Sequence, residues 1–385
     1  MSLTTTPSTA ATPTASTSTD RLTPRSLLLG WDAIELWVGN ARAFAGFLAS
    51  AFGFRVTAYA GPETGWPDWA SYVLEQGHIR FVVTAALTPD SPIAAHVREH
   101  GDGVRNLALG VTDVDAAYRS SVARGARGID EPRTDADPCG SLRSASIATY
   151  GETRHTFVDR SWYRGPYLPG YTAEGLPPEP AGLAVGLDHV DHVVGNVELG
   201  SLERWVGFYR SVLGFERLRH FDDSQISTEY SALMSTVVWD GSRIVLPLNE
   251  PAKGRRKSQI QEYLDTYRGP GVQHIALHTD DIVQAVAALR SRGVRFLVAP
   301  PTYYDDVRSR LGHLDLPWDD LERLGILVDE EPDGWLLQVF TETITDRPTV
   351  FLEIIQRGGA QGFGAGNFKA LFEAIEREQA LRGHL

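Results

Sequence analysis

The sequence predicts an α+β protein in which a βαβββ module recurs and a whole domain has been duplicated. Three observations carry this. A short apolar stretch, Gly103 to Leu109 (GVRNLAL), returns as Gly271 to Leu277 (GVQHIAL). A longer one, Glu35 to Phe54, is echoed by Asp191 to Phe215, with a shared V-G-N at Val38 and Val194 and a shared terminal G-F. Self-similarity of this length indicates domain duplication, and 385 residues suit two domains that each bury a core.

Residues Met1 to Arg25 are mostly Ser, Thr, Ala and Pro, too poor in apolar surface to offset their ordering entropy, so the spacing predicts a disordered tail over residues 1–26. A first domain should then occupy residues 27–161. It opens with a strand at Trp31 to Gly39 and a helix from Ala41 to Ala51 that stops at Gly53. Three apolar runs follow, Phe54 to Tyr59, Ser71 to Leu74 and Ile79 to Thr84, the last two parted by the turn at Gln76-Gly77. The second module starts at GVRNLAL, continues through a helix over Asp113 to Arg124, and ends in strands near Ser144 to Tyr150 and Arg154 to Asp159.

Residues 162–186 are rich in Pro and Gly without periodicity and read as a linker. The pattern restarts in a second domain, 187–385. Its strands are expected near Tyr230 to Val238, Ile244 to Leu248, Trp335 to Thr341 and Thr349 to Gln356, with a helix from Ile282 to Arg292. In a last helix Phe368, Leu371, Phe372 and Ile375 fall at i, i+3, i+4 and i+7, one apolar stripe.

Composition bounds the function. A net charge of -13 and the lack of a basic face argue against a nucleic-acid partner. No apolar run approaches the roughly 18 residues of a membrane helix, so no membrane partner is expected. The single cysteine, Cys139, sits in a turn-like DPCGS, cannot pair internally, and fits a reducing cytoplasm.

The chemistry lies in ligand types that one half has and the other lacks. His274 stands where Asn106 stands in the first copy; His192 aligns with Leu36, and Glu353 in FLEIIQR with about Thr156 in RHTFVDR. One histidine on an apolar strand is ordinarily a hydrogen-bonded core residue. Two histidines and a carboxylate at matching places indicate a metal site instead: either the facial set of a non-haem Fe(II) oxygenase or zinc with three ligands and a water. Among rivals, His189 lies three residues before His192 and should face the other way, whereas His278 shares a face with His274 by the period of two. His155 and His220 read as structural or exposed. Gln338 and Phe340 alternate onto one face, and Phe351 lies two residues before Glu353, which outlines a slot for a flat aromatic with one polar end.

With these residues in place, the motifs DHVVGNVELG, EYSALMS, PLNEPA, KSQIQEYL, GVQHIAL, LLQVFT, RPTVFLEIIQR and GFGAGNFKALFEAIEREQ together resemble the 4-hydroxyphenylpyruvate dioxygenase family of the vicinal oxygen chelate superfamily. The resemblance runs from about Trp31 to the C-terminus. It implies two open β-barrel domains, one Fe(II) per chain on His192, His274 and Glu353, and a C-terminal lid helix. It also implies a substrate wall of Ser231, Asn249, Gln259, Gln273, Gln338, Phe340, Phe351, Phe363, Asn367 and Phe368. A regular strand would turn Gln273, next to His274, away from the metal, so its place needs a twist at the start of the strand. The family's chemistry takes a small-molecule 2-oxo acid, 4-hydroxyphenylpyruvate, and O2 to homogentisate and CO2 in tyrosine and phenylalanine catabolism, with a homodimer or homotetramer expected. Three alternatives stay open: 4-hydroxymandelate synthase, which tends to be aliphatic where Phe340 stands; an extradiol catechol dioxygenase, for which His278 would be the acid–base group; and a non-enzymatic binding protein.

Overall fold

The computed structural model describes residues 23–176, 184–221, 233–252, 257–299, 302–367 and 376. The first half runs β1 (Leu28–Trp37), α1 (Ala41–Phe52), β2 (Arg55–Ala60), β3 (Trp69–Gln76), β4 (Ile79–Ala86), α2 (Pro92–His100), β5 (Gly103–Val111), α3 (Val114–Ala123), β6 (Gly128–Asp137), β7 (Gly140–Ala148) and β8 (Arg154–Asp159). The second runs β9 (Leu187–Asn196), α4 (Leu202–Phe208), β10 (Glu216–Phe221), β11 (Leu233–Trp239), β12 (Val245–Pro251), α5 (Gln259–Tyr267), β13 (Gly271–Thr279), α6 (Ile282–Ser291), α7 (Thr302–Leu311), α8 (Trp318–Leu324), β14 (Leu327–Glu331), β15 (Gly334–Phe340) and β16 (Phe351–Gly358). The stripe from Phe368 to Ile375 lies outside the described residues, as does Tyr230 at the start of one expected strand.

Each half is one eight-stranded curled sheet. The strand orders are β2-β3-β4-β1-β5-β8-β7-β6 and β10-β11-β12-β9-β13-β16-β15-β14, the same permutation twice. In both, the two modules meet at a central antiparallel pair, β1 with β5 and β9 with β13. Helices cover the outer face and the inner face encloses the site.

Local sequence explains the elements. Helix α1 is capped by Asn40, whose side chain accepts from the Ala43 N–H at 3.0 Å, and it ends at Gly53 with φ 75°. Asp113 and Asp281 cap α3 and α6 in the same way, accepting from Ala116 and Gln284. The central strands are buried on both faces, which is why β13 reads as an almost unbroken apolar run: Val272, Ile275 and Leu277 pack outward under the helices, each burial contributing about 1.5–3 kcal/mol.

Several elements escaped the sequence pattern. Strand β6 (GIDEPRTDAD) is an exposed charged edge with no alternation to read. Helices α2, α5, α7 and α8 are short, and α7 and α8 have no counterpart in the first half. In the stretch after Trp162, Tyr163 and Tyr167 enter the inner cluster of the first sheet, and the Tyr171 hydroxyl meets the Ser71 hydroxyl at 3.0 Å.

Pairing registers correct one alignment. Across the central pairs, Ala108 faces Ala33 and Ala276 faces His192. The counterpart of His192 is therefore Ala33 rather than Leu36; the V-G-N match had slid the two strands three residues apart. The other two equivalences stand in the registers: Asn106 faces Glu35 as His274 faces Val194, and Thr156 lies beside Ala108 as Glu353 lies beside Ala276.

A buried histidine joins the halves. His155 is fully buried; its Nδ1–H donates to the Leu107 carbonyl at 3.0 Å and its Nε2 accepts from the Tyr209 hydroxyl at 2.9 Å. Burial pulls its pKa down to about 4, against a bond to Leu107 that works the other way. The unfolded chain thus binds a proton that the folded one refuses between about pH 6.5 and 4. Stability should fall in this window as pH falls, by about 1.4 kcal/mol per unit for one such group. A His155→Asn variant, though less stable at neutral pH, should show a shallower fall in thermal midpoint on acidification.

Candidate metal centre

Three adjacent strands, β9, β13 and β16, bring His192, His274 and Glu353 together. Ala276 on the middle strand faces His192 on one side and Glu353 on the other, and His274 stands two residues along on the same face. The Ala276 methyl leaves the centre of this row open. The three ligand atoms lie within 4.8 Å of one another, with Glu353 Oε2 at 3.3 Å from His192 Nε2 and 3.4 Å from His274 Nε2. All three side chains are buried.

Two irregularities aim the histidines. Between Ala276/His192 and Leu277/Val190 the pairing steps one residue on β13 and two on β9, so Asp191 is an extra residue, a bulge. Between Val272/Gly195 and His274/Val194 the step is reversed, and Gln273 is the extra residue. Each bulged side chain reaches the Nδ1 of its neighbour: Asp191 Oδ1 lies 2.7 Å from His192 Nδ1, and Gln273 Oε1 lies 3.0 Å from His274 Nδ1. Accepting the Nδ1 proton leaves both Nε2 lone pairs toward Glu353, the tautomer a metal requires. Asp191 is held in turn by Arg357 through two bonds at 2.7 and 2.8 Å.

The same bulges account for two departures from simple alternation. Gln273 stands beside His274, on its Nδ1 side. His189 shares the inner face with His278, contrary to the alternation expected of it, because the extra residue at Asp191 inverts the count. His189 and His278 stack on each other at 4.4 Å, with Asp188, as a group separate from the three ligands. His278 is therefore not among the groups facing the cluster. The His220 side chain lies outside the described residues.

Within the cluster, charged neighbours compete with burial. Burial lowers His192, yet the Glu353 and Asp191 carboxylates outweigh it and leave the imidazole raised to about 9. His274 is lowered, burial outweighing its bonds to Glu353. Burial would raise Glu353, but the two imidazoles hold it below the usual carboxylate range. Asp191 is likewise held below that range: burial opposes this, but Arg357 and His192 prevail. A metal binding here displaces the proton shared by His192 and Glu353.

Aromatic rings close around the cluster. Phe351 stacks on His274 at 4.7 Å, Phe340 meets the same ring edge-on at 6.1 Å, and Phe363 stands edge-on to His192 at 5.3 Å. Phe340 pairs across from Glu353, and Gln338 lies one period along the same face of β15. Gln338 Nε2 and Gln259 Oε1 are buried without a protein partner. Gln259, Gln273 and Phe351 line a cavity of about 320 Å³ with Tyr263 and Thr341. Asn249 sits farther off, in one cross-strand row with Ser235 and Asn196. Asn367 accepts from the Tyr303 hydroxyl at 2.6 Å and keeps Nδ2 unpartnered. Ser231 and Phe368 lie outside the described residues.

Sequence reasoning missed Asp191, Arg357 and Ala276. A signal was present: Asp32 is likewise an extra residue in β1 and is held by Arg160 through bonds at 2.5 and 2.8 Å. In that half the ligand positions carry Ala33, Asn106 and Thr156, and Thr156 donates to Asn106 Oδ1 at 3.0 Å.

Comparison with known proteins identifies relatives along most of the chain. The model of the Glyoxalase/Bleomycin resistance protein/Dioxygenase superfamily matches residues 30–143 and 186–339, once in each half. The chain is 49% identical to a 4-hydroxyphenylpyruvate dioxygenase of Dictyostelium discoideum over 92% of this chain and 100% of that one. It is 45% identical to one of Aspergillus fumigatus, covering 92% and 94%. Among solved structures, a triple mutant of 4-hydroxymandelate synthase from Streptomyces coelicolor superposes with a TM-score of 0.80 at 35% identity, over 92% of this chain and 99% of that one.

If the open centre of the row is what admits a metal, Ala276→Leu should empty the site while leaving every ligand in place. Metal analysis after Fe(II) loading should find at least a tenfold loss per chain, with circular dichroism unchanged and a stability cost of about 1–3 kcal/mol from overpacking. Full metal content in this variant would refute the arrangement.

Proposed function

The chain belongs to the 4-hydroxyphenylpyruvate dioxygenase family, and we propose that it converts 4-hydroxyphenylpyruvate and O2 to homogentisate and CO2 with one Fe(II) held by His192, His274 and Glu353. The observation that carries this reading is the buried set of two imidazoles and one carboxylate, flanked by three phenylalanine rings. Such a donor set leaves coordination positions free for substrate and O2. When bound, Fe(II) supplies the redox chemistry that no side chain here can perform.

The chain's own residues bind, orient and exclude water. Phe351 and Phe340 pack edge to face, at an interplanar angle of 77°, and together present an apolar wall against which a phenol ring can lie. Gln338 Nε2 and Gln259 Oε1 are buried without partners, so a ligand group that completes them removes an unsatisfied donor and acceptor. With Asn249, Asn367, Gln273, Phe363, Ser231 and Phe368 they form the proposed wall. Asp191 and Gln273 act one step back, fixing the two imidazoles so that ligand geometry does not relax during turnover. His278 stacks on His189 instead of facing the cluster, which removes the acid–base histidine an extradiol catechol dioxygenase would need.

This activity belongs to tyrosine and phenylalanine degradation. The proposed assignment of parts is residues 27–161 as scaffold and subunit contact, 162–186 as linker, and 187–385 as the catalytic domain of a homodimer or homotetramer. A cytoplasmic setting is consistent with one unpaired, exposed cysteine; among the described residues no helix is long and apolar enough to cross a membrane.

The Fe(II)-loaded protein, incubated with 4-hydroxyphenylpyruvate under air, should yield homogentisate, identified by mass and retention. Hydroxymandelate would keep the metal site and overturn the account of Phe340 and its neighbours; no turnover with iron bound would overturn the substrate. A chain ending at Gly362 should still bind iron but release CO2 in excess over homogentisate, and equal yields of the two would show that the C-terminal segment is not a lid.

A further inference from the structure

Outside the catalytic cluster, the described residues contain another buried gathering of metal-capable side chains. Helix α2 carries His96 and His100 four residues apart, in HVREH, so both imidazoles leave the same face of the helix. Their rings stand 4.7 Å apart, and both residues are buried, at 2% and 6% exposed. The turn between β7 and β8 brings Glu152 against them, its Oε2 lying 2.6 Å from His96 Nδ1 and 3.7 Å from His100 Nε2. All three donor atoms fall within 4.8 Å of one another. Glu152 is half-exposed, which leaves an approach from solvent.

The surroundings fix these donors. The His100 Nδ1–H donates to the Tyr267 carbonyl at 2.5 Å, which directs its Nε2 lone pair at Glu152. His96 Nε2 lies 3.4 Å from the Tyr267 hydroxyl, so a ligand bond at Nδ1 leaves the Nε2–H an acceptor. An imidazole whose other nitrogen bonds a backbone carbonyl or a hydroxyl is the arrangement found behind bound metals. Burial also keeps His96 neutral, its pKa pulled down to about 4 against the bond to Glu152. The turn has little freedom to move away: Gly151, at φ +58°, sits so close to Pro270 that a Cβ would lie 2.2 Å from its carbonyl oxygen.

We propose that His96, His100 and Glu152 form a second metal site, for a borderline divalent transition ion such as zinc, at the contact between α2 of the first half and α5 of the second. Tetrahedral zinc needs ligand atoms about 3.3 Å apart, within roughly an ångström of what the first two distances offer. The donor chemistry rejects hard cations: there is one carboxylate, and the Arg105 cation acts on it. A bound ion takes the Nδ1 lone pair of His96, whose one proton then sits on Nε2 against the Tyr267 hydroxyl, so no proton is released from the ring; the ion ties helix α2 to the β7–β8 turn where Tyr267 of α5 closes the back. Its role is a clip within the first half that firms the α2 surface on which Tyr267 of α5 rests, independent of the reaction at Glu353.

The test starts from Fe(II)-loaded protein, kept anaerobic, dialysed against micromolar Zn²⁺ and analysed for both metals. Wild type should retain one zinc per chain with its iron. His100→Ala should hold at least tenfold less zinc and keep iron and turnover, while His192→Ala should lose iron and keep zinc. Because His100→Ala could unfold the interface, Glu152→Gln, at a half-exposed position, gives a second reading: loss of zinc with unchanged circular dichroism supports the site. No zinc beyond iron in wild type, zinc that replaces iron, zinc kept by Glu152→Gln, or zinc lost instead in His278→Ala would each overturn it.

Discussion

Alternation along a β-strand gives every second residue to one face, and the cluster of His192, His274 and Glu353 depends on breaking that rule twice. The extra residue at Asp191 lets a carboxylate stand beside the imidazole that follows it, and the extra residue at Gln273 does the same for a carboxamide. In a regular strand both side chains would point out beneath the helices, where a charged group has no partner. The bulges turn them back along the strand to hold the Nδ1 protons of the two histidines. Arg357 then neutralises Asp191, so the buried charge near the site is compensated. Ligand direction, tautomer and local charge balance all follow from two backbone slips.

The first half keeps this backbone without its chemistry. Asp32 and Arg105 are the extra residues at the matching places, and Arg160 grips Asp32 as Arg357 grips Asp191. The inward positions, freed of a metal, solve a different problem: buried polar groups need partners. Asn106 and Thr156 satisfy one another, and Ser146 adds a contact to Thr156 at 3.0 Å. The result is a barrel of the same topology in which tyrosines from the segment after Trp162 join the inner cluster and a cavity of about 640 Å³ persists beside Asn106, Ser146 and Thr156.

Much of this was legible in the residues, for identifiable reasons. Strands buried on both faces leave long apolar runs, and duplication lets each run be checked against its copy; hence the modules, and hence the gathering of His192, His274 and Glu353. His274 against Asn106 and Glu353 against Thr156 were readable because those strands carry matching flanks. The match of His192 to Leu36 failed because a three-letter identity, V-G-N, outweighed the bulge, which leaves no compositional mark. Strand β6 and helices α7 and α8 were invisible for opposite reasons, the first being charged and exposed, the others short and unduplicated. The partners Asp191 and Arg357 needed three dimensions, since 166 residues separate them.

Ala108 repeats Ala276 in the half that has no ligands. The methyl there is 2% exposed and lines a cavity of about 640 Å³ together with Asn106, Thr156 and Tyr167. The first barrel is thus a mould of the second, set apart at these positions by the side chains of Ala33, Asn106 and Thr156 rather than by any change of strand order, so that one architecture serves with or without a metal-capable set.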